Sequence, residues 1–350
     1  MASRLNLPLS IASVSIGLPR HTLHQKVEAA VTAGFSGMEL GFPDLVSYAT
    51  ITLGKDVKED DYTSLCEAGT HVRSLFERHN LRIVLLQPFS NFEGWPRGSK
   101  EREAAFARAR GWIDIMSVVG TDTLQVGSSD SPGITTSLPE IAADIAELAD
   151  LLAERGFRLA YENWCWSTHA PTWKDVWTIV NTVDRPNVGL CLDTFQTSGG
   201  EWGDPTTKSS VLETGGMTID QVNMSYDRSL SELARTVPQE KIFFLQISDA
   251  YRADPPLDPD VDESGLRPRG RWSHSYRPLP YDGGYLPIAK CLEAVMATGF
   301  RGWLSVEVFD GSFEEKYGYD LLAFVKKAKN AVDRLLEEVD LRRVTTGYES

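Results

Sequence analysis

Cysteine is scarce in this chain, and the four present, Cys66, Cys165, Cys191 and Cys291, show no CxxC spacing. No disulfide framework is implied, as expected of reduced thiols in a cytoplasmic protein. Long apolar runs are missing too. No stretch approaches membrane-spanning length, and the N-terminus lacks an apolar core with a cleavage site, so a soluble protein is expected. Positive charge is in deficit: 35 Lys and Arg face 49 Asp and Glu, a net charge of -14. That balance argues against electrostatic capture of nucleic acid or an anionic membrane, and an anionic substrate would need a locally positive pocket. Signature loops are absent as well. The first turn reads GLPRH rather than GxGxxG, and neither GxxxxGK[ST] nor GxSxG occurs. Dinucleotide-dependent hydride transfer and serine acyl transfer recede accordingly.

What is present is a regular alternation. Strand-like runs at 9–16, 36–41, LRIVLLQPF, TDTLQVG, FRLAYEN, PNVGLCLD, KIFFLQISD and GWLSVEVF are separated by helical patterns at about 21–33, 61–80, 100–119, 138–155, 171–183, 219–236 and 286–298. A final helix shares an apolar face through Leu321, Val325, Ala328, Val332, Leu335 and Val339. Ser137 with Glu140, Thr218 with Gln221 and Ser312 with Glu315 have capping-box spacing. Eight strand–helix pairs without an obvious linker favour one (β/α)8 barrel over residues 1–350, with long connections after strands six and seven. The second of these, about 251–284, is Pro- and Gly-rich and too long to be a simple connector.

Reactive groups in such a barrel sit at the C-terminal ends of the strands. The fifth strand ends in Glu162, the sixth in Asp193, the seventh offers Gln246 and the eighth Glu307. Any one of them has an ordinary role; a lone Asp193, for example, would cap the segment that follows its strand, in a glycine-rich loop. Three carboxylates on one rim repel unless a cation neutralises them, so the set of four points to one divalent ion. All-oxygen ligation suits Mn²⁺ or Mg²⁺, and admits catalytic Co²⁺ or Zn²⁺. Glu39 and Gln87, at the ends of earlier strands, either line the pocket or bond within the barrel.

LQPFSNFEGW (86–95), YENWCWSTHAPTW (161–173), GLCLDTFQTSGGEWGDPT (189–206), FFLQISDAYR (243–252), RWSHSYRPLPYDGGYLP (271–287) and GWLSVEVF (302–309) resemble the xylose isomerase-like barrel superfamily. Within it the chain resembles the fungal 3-dehydroshikimate dehydratases of quinate catabolism. The resemblance implies metal ligation by Glu162, Asp193, Gln246 and Glu307, with Gln246 where isomerases more often carry His. It implies substrate contacts from Ser273 and Arg277, a Ser-x-x-x-Arg element, with Arg252 and Arg271 as the next arginines. Gln196 stands where bacterial relatives place His, and glutamine exchanges no proton near neutrality. The implied reaction is loss of an α-proton to Glu162 or Glu307, a metal-stabilised enediolate and departure of the β-hydroxyl, giving protocatechuate and water. His274, His169, Tyr281 and metal-bound water are the candidate acids.

Arg277 suits a substrate carboxylate because a guanidinium can bind it bidentately. Trp164, Trp166, Trp173 and Trp202 lie in or beside the site loops, and at least half of them are expected simply to pack. The competing readings are another isomerase, epimerase or inosose dehydratase of the same superfamily, and a non-catalytic sensor on the same barrel. A homo-oligomer is compatible with all of them.

Overall fold

The computed structural model describes residues 7–346 except 214. Its strands are β1 (Leu9–Ala12), β2 (Gly37–Gly41), β3 (Arg82–Phe89), β4 (Thr123–Gly127), β5 (Arg158–Glu162), β6 (Val188–Asp193), β7 (Ile242–Ile247), β8 (Tyr276–Arg277), β9 (Trp303–Val306) and β10 (Phe309–Asp310). Eight of them, β1 to β7 and β9, pair in parallel and in chain order, and β9 closes the barrel on β1. The short strands β8 and β10 form a separate antiparallel pair.

The helices are α1 (Leu23–Thr32), α2 (Phe42–Leu53), α3 (Tyr62–Arg78), α4 (Lys100–Val119), α5 (Leu138–Ala153), α6 (Trp173–Val183), α7 (Thr194–Glu201), α8 (Ile219–Thr236), α9 (Pro268–Ser275), α10 (Ile288–Ala297), α11 (Phe313–Tyr317) and α12 (Leu321–Thr346). Barrel strands flanked by helices are covered on both faces, and β2, β4 and β6 are buried at every position. Helix ends follow local chemistry. Ser99 accepts a bond from the Arg102 N–H at the start of α4, and Gly120 closes that helix at φ 82°. Among the described residues no helix is long and apolar enough to cross a membrane.

The barrel interior has two levels. Leu85, Ala160, Cys191 and Phe244, with Trp303, form an apolar cluster separate from the main core. Two residues further along the same strands stand Gln87, Glu162, Asp193 and Gln246. Side chains alternate across a strand with a period of two, so the apolar base and the polar rim face the same interior.

Several local expectations are corrected. The first strand stops at Ala12, and Ser13–Ser15 turn as a 3-10 helix. Helix α2 has no counterpart in the sequence reading because FPDLVSYATITL is rich in β-branched and aromatic residues; Pro43 in its first turn and Gly54 at φ 65° were its signals. Thr218 and Gln221 form their capping box, whereas Ser137 and Ser312 make no side-chain cap bond. The last helix is divided at Gly318, and Asp320 caps the longer part by accepting from the Ala323 N–H.

Both long connections carry structure of their own. The glycine-containing segment after β6 is helical, as α7, and the excursion after β7 contains α9 and β8. Trp272 of α9 is fully buried, meets the Phe195 ring at 5.0 Å with the planes tilted by 60°, and donates Nε1 to the Tyr251 carbonyl at 2.9 Å. It fits because Gly199 and Gly203 lack side chains; a Cβ there would stand 3.0 and 2.8 Å from the indole. Trp272→Ala is therefore expected to destabilise the protein by about 3–5 kcal/mol, measured by denaturant unfolding. A loss below about 1 kcal/mol would mean that the excursion is anchored elsewhere.

Candidate active site

Strand register brings the four expected side chains together. Asp193 and Gln246 are direct neighbours across β6 and β7, Glu162 lies beside Cys191, and Glu307 follows the last residue of β9. One oxygen from each of Glu162, Asp193 and Glu307 lies within 4.8 Å of the others, and all three residues are buried. Gln246 donates Nε2 to Glu39 at 2.8 Å and accepts from the Cys191 thiol at 3.3 Å.

Each carboxylate is held. Asp193 caps α7, its Oδ1 accepting from the Phe195 N–H at 2.6 Å and the Gln196 N–H at 3.4 Å. Capping and rim position are thus the same residue's two roles. Glu162 accepts from the Gln125 amide and from Trp164 Nε1 at 3.0 Å. Glu307 accepts from Gln87 Nε2 at 3.0 Å. Burial lifts Glu162 and Glu39 well above the carboxylate range, and their carboxylate neighbours add to the rise. Glu307 is pushed up to about 7 by burial, with Arg277 pulling the other way.

Arg277 lies inside this cluster. It is 1% exposed and bonds Asp193 Oδ2, Glu307 Oε2 at 3.1 Å, the Glu307 carbonyl at 3.0 Å and Ser248 Oγ at 3.0 Å. Phe195 and Phe309 lie 4.8 and 5.1 Å from its guanidinium carbon. Burial opposes its charge, but Asp193 and Glu307 outweigh that cost and hold it protonated. Its contact with Ser273 Oγ is 3.4 Å through Nη1, the least committed of its nitrogens.

Trp164 lies over β4 because Gly127 has no side chain; a Cβ there would fall 2.2 Å from the indole. Trp164 stacks on Trp166 at 5.0 Å, and Trp166 meets the His274 ring at 6.0 Å, so these three form one side of the rim. Trp173 and Trp202 instead pack outward, bonding Ser229 and Asn223. Gln196 is buried and accepts from the Cys165 N–H at 3.0 Å, which ties α7 to the loop after β5.

His169 is drawn away into a buried triad, 3.1 Å from Glu93 and 3.0 Å from the Tyr161 hydroxyl. The Tyr281 hydroxyl donates to Glu338. Arg252 bonds the Ser209 carbonyl, and Arg271 bonds the carbonyls of Asp258, Asp260 and Leu266. Sequence reasoning passed over Gln125 and Ser248. Gln125 carried a signal, since it is the inward residue of β4 on the pattern of Gln87 and Gln246; Ser248 carried none.

The donor set suits a hard cation. Glu39 Oε1, Gln125 Oε1 and Glu162 Oε1 are buried acceptors without a hydrogen-bond partner, so the cluster holds unspent acceptor capacity among oxygens. An outer groove of about 770 Å³ lies between α8, α10 and α12, lined by Leu230, Ala234, Ala294 and Arg301 among others, and contains none of these residues.

Comparison with known proteins places this geometry in context. A family described as xylose isomerase-like TIM barrel matches residues 27–331. A 3-dehydroshikimate dehydratase of Neurospora crassa is 32% identical over 88% of each chain. One from Pseudomonas aeruginosa is 34% identical over 87% of this chain but only 38% of its own length. A solved xylose isomerase-like TIM barrel/4-hydroxyphenylpyruvate dioxygenase fusion protein is 26% identical, with a TM-score of 0.73, over 98% of this chain and 45% of the other. This chain thus spans less than half of the two longer proteins.

Arg277→Met would leave Asp193 and Glu307 buried without their counter-charge. In protein kept in chelator it should cost about 3–5 kcal/mol of stability, read from chemical unfolding. Unchanged stability would show that the guanidinium is not what balances the cluster.

Proposed function

The chain belongs to the xylose isomerase-like TIM barrel family, and on that premise we propose that it is a hydro-lyase that converts 3-dehydroshikimate to protocatechuate and water. The observation that carries the reading is the coincidence of whole-chain similarity to 3-dehydroshikimate dehydratases with a buried rim of Glu162, Asp193, Gln246 and Glu307. The same reading assigns the enzyme to the cytoplasm and to quinate breakdown.

We assign one divalent ion, Mn²⁺ or Mg²⁺ before Co²⁺ or Zn²⁺, to the seat made by those four side chains. Bound there, it would supply Lewis acidity toward the ketone and α-hydroxyl oxygens of the substrate.

The remaining work falls to side chains. The α-proton passes to a rim carboxylate, for which Glu162 and Glu307 are the two candidates; burial raises both, Glu307 to about 7. The β-hydroxyl leaves with a proton as water, and the ring becomes aromatic. The substrate carboxylate is assigned to Arg277 Nη1 and the Ser273 hydroxyl, 3.4 Å apart. His274, whose ring lies 6.0 Å from that of Trp166, is assigned to donate that proton. Trp164 and Trp166 exclude water from the developing enolate.

Protein supplied with Mn²⁺ and 3-dehydroshikimate should generate protocatechuate absorbance, chelator should abolish it, and Glu307→Gln should fold yet lose at least about a hundredfold in turnover. Failure across several divalent ions would reject the dehydratase reading in favour of another reaction on the same barrel.

A pH dependence follows from the raised carboxyls. A folded-state pKa above the unfolded value contributes stability at low pH that is lost as pH rises through the folded pKa, which for Glu307 is about 7. Cation binding instead requires deprotonated ligands. The gap between melting temperatures with Mn²⁺ and with chelator should therefore widen from about pH 5 to about pH 8. A constant gap would place the carboxyl pKa values in the ordinary range.

A further inference from the structure

Three of the four rim side chains are braced by side chains of earlier strands. Gln87 of β3 donates to Glu307, Gln125 of β4 donates to Glu162, and Glu39 of β2 accepts from Gln246. The first two braces act on carboxylates, whose two oxygens are equivalent, so either way up presents an acceptor. Gln246 is different. A carboxamide has one acceptor end and one donor end, and only the oxygen can hold a cation, whereas an NH2 turned toward the rim would repel one.

Glu39 decides which end faces which way. Glu39 offers only oxygens, and its Oε2 takes the Gln246 Nε2–H at 2.8 Å, with both residues fully buried. The NH2 end of Gln246 is thereby committed. The oxygen end keeps only a weak thiol donor, Cys191 Sγ at 3.3 Å, and so retains acceptor capacity. Asp193 and Glu307 share Arg277, but no Lys, Arg or His among the described residues pairs with Glu39. Beyond Gln246, only the Ser305 hydroxyl eases its burial. An acidic side chain kept in the barrel without a counter-ion is a poor structural choice, since an apolar residue of similar volume would cost less. A role in orienting Gln246 accounts for it.

We propose that Glu39 is the positioning residue that makes Gln246 a cation ligand, by fixing its carboxamide with Nε2 toward β2 and Oε1 free for the ion. The proposal rests on the metal-dependent reading above.

The test is Mn²⁺ titration of chelator-treated protein, followed by calorimetry and independent of turnover. Glu39→Met, which removes the acceptor, should weaken Mn²⁺ binding about 10–100-fold. Glu39→Gln, which keeps an acceptor oxygen without the charge, should recover most of that loss. Combined with Gln246→Ala, the Glu39→Met change should have no further effect. Melting of the metal-free variants checks the fold, and Glu39→Ala replaces the methionine variant if that one does not fold.

Wild-type-like affinity in Glu39→Met would overturn the proposal while leaving the metal seat standing. So would equal losses in the Gln and Met variants, or an undiminished loss in the Gln246→Ala background, since both would make Glu39 a plain negative charge near the ion. A wild-type protein that takes up no Mn²⁺ would be a different result, defeating the metal reading itself and this inference with it.

Discussion

Three carboxylates held in one buried volume are the constraint on which the rest of this structure depends. Glu162, Asp193 and Glu307 approach within 4.8 Å because neighbouring strands of a closed barrel end side by side. In water such charges would be screened, but in the barrel mouth their repulsion and lost hydration persist. The fold answers with positive charge and oriented donors. Arg277 reaches Asp193 and Glu307, the first N–H groups of α7 point at Asp193, and amides from β3 and β4 reach Glu307 and Glu162.

Placing Arg277 there explains the long excursion after β7. A residue on a barrel strand could not bring a guanidinium over the rim from above, so the chain leaves β7, forms α9 and returns through β8. The excursion is stitched by side chain to backbone. Arg271 takes three carbonyls of its own loop, Arg267 takes the Trp166 carbonyl, and Arg269 takes the carbonyls of Gly199 and Gly203. Trp272 fills the space that those two glycines leave. Loops of this length would otherwise sacrifice much conformational entropy without packing to offset it. The polarity of the chain's surface and the rigidity of its rim are thus separate matters: the net charge is negative, yet the rim is organised around one buried cation.

Much of the rim was legible beforehand for a simple reason. A polar residue at the end of an apolar run breaks a periodic pattern, and Glu162, Asp193, Gln246 and Glu307 all do so. Gln196 was legible only as a departure from relatives; its bond to Cys165 needed the α7 and β5 loops in place. Gln125 obeyed the same inward alternation as Gln246 but looked like an ordinary strand residue. Arg277 was visible as a candidate anion clamp, while its carboxylate partners, 84 and 30 residues away, were not. His169 and Tyr281 looked available as acids because nothing local reveals that Glu93 and Glu338 engage them.

The amino-acid order by itself determined the alternation of strands and helices, the barrel and the identity of the rim side chains, since those depend on periodicity and on residues near one another in the chain. Helix α2 and the split final helix show where local signals compete. Only tertiary structure decided which charge balances which, which end of the Gln246 amide is committed and which aromatic rings wall the site. Those outcomes depend on barrel closure, which brings β2 against the contents of β7 and a distant loop against β6, and no spacing along the chain encodes such distances.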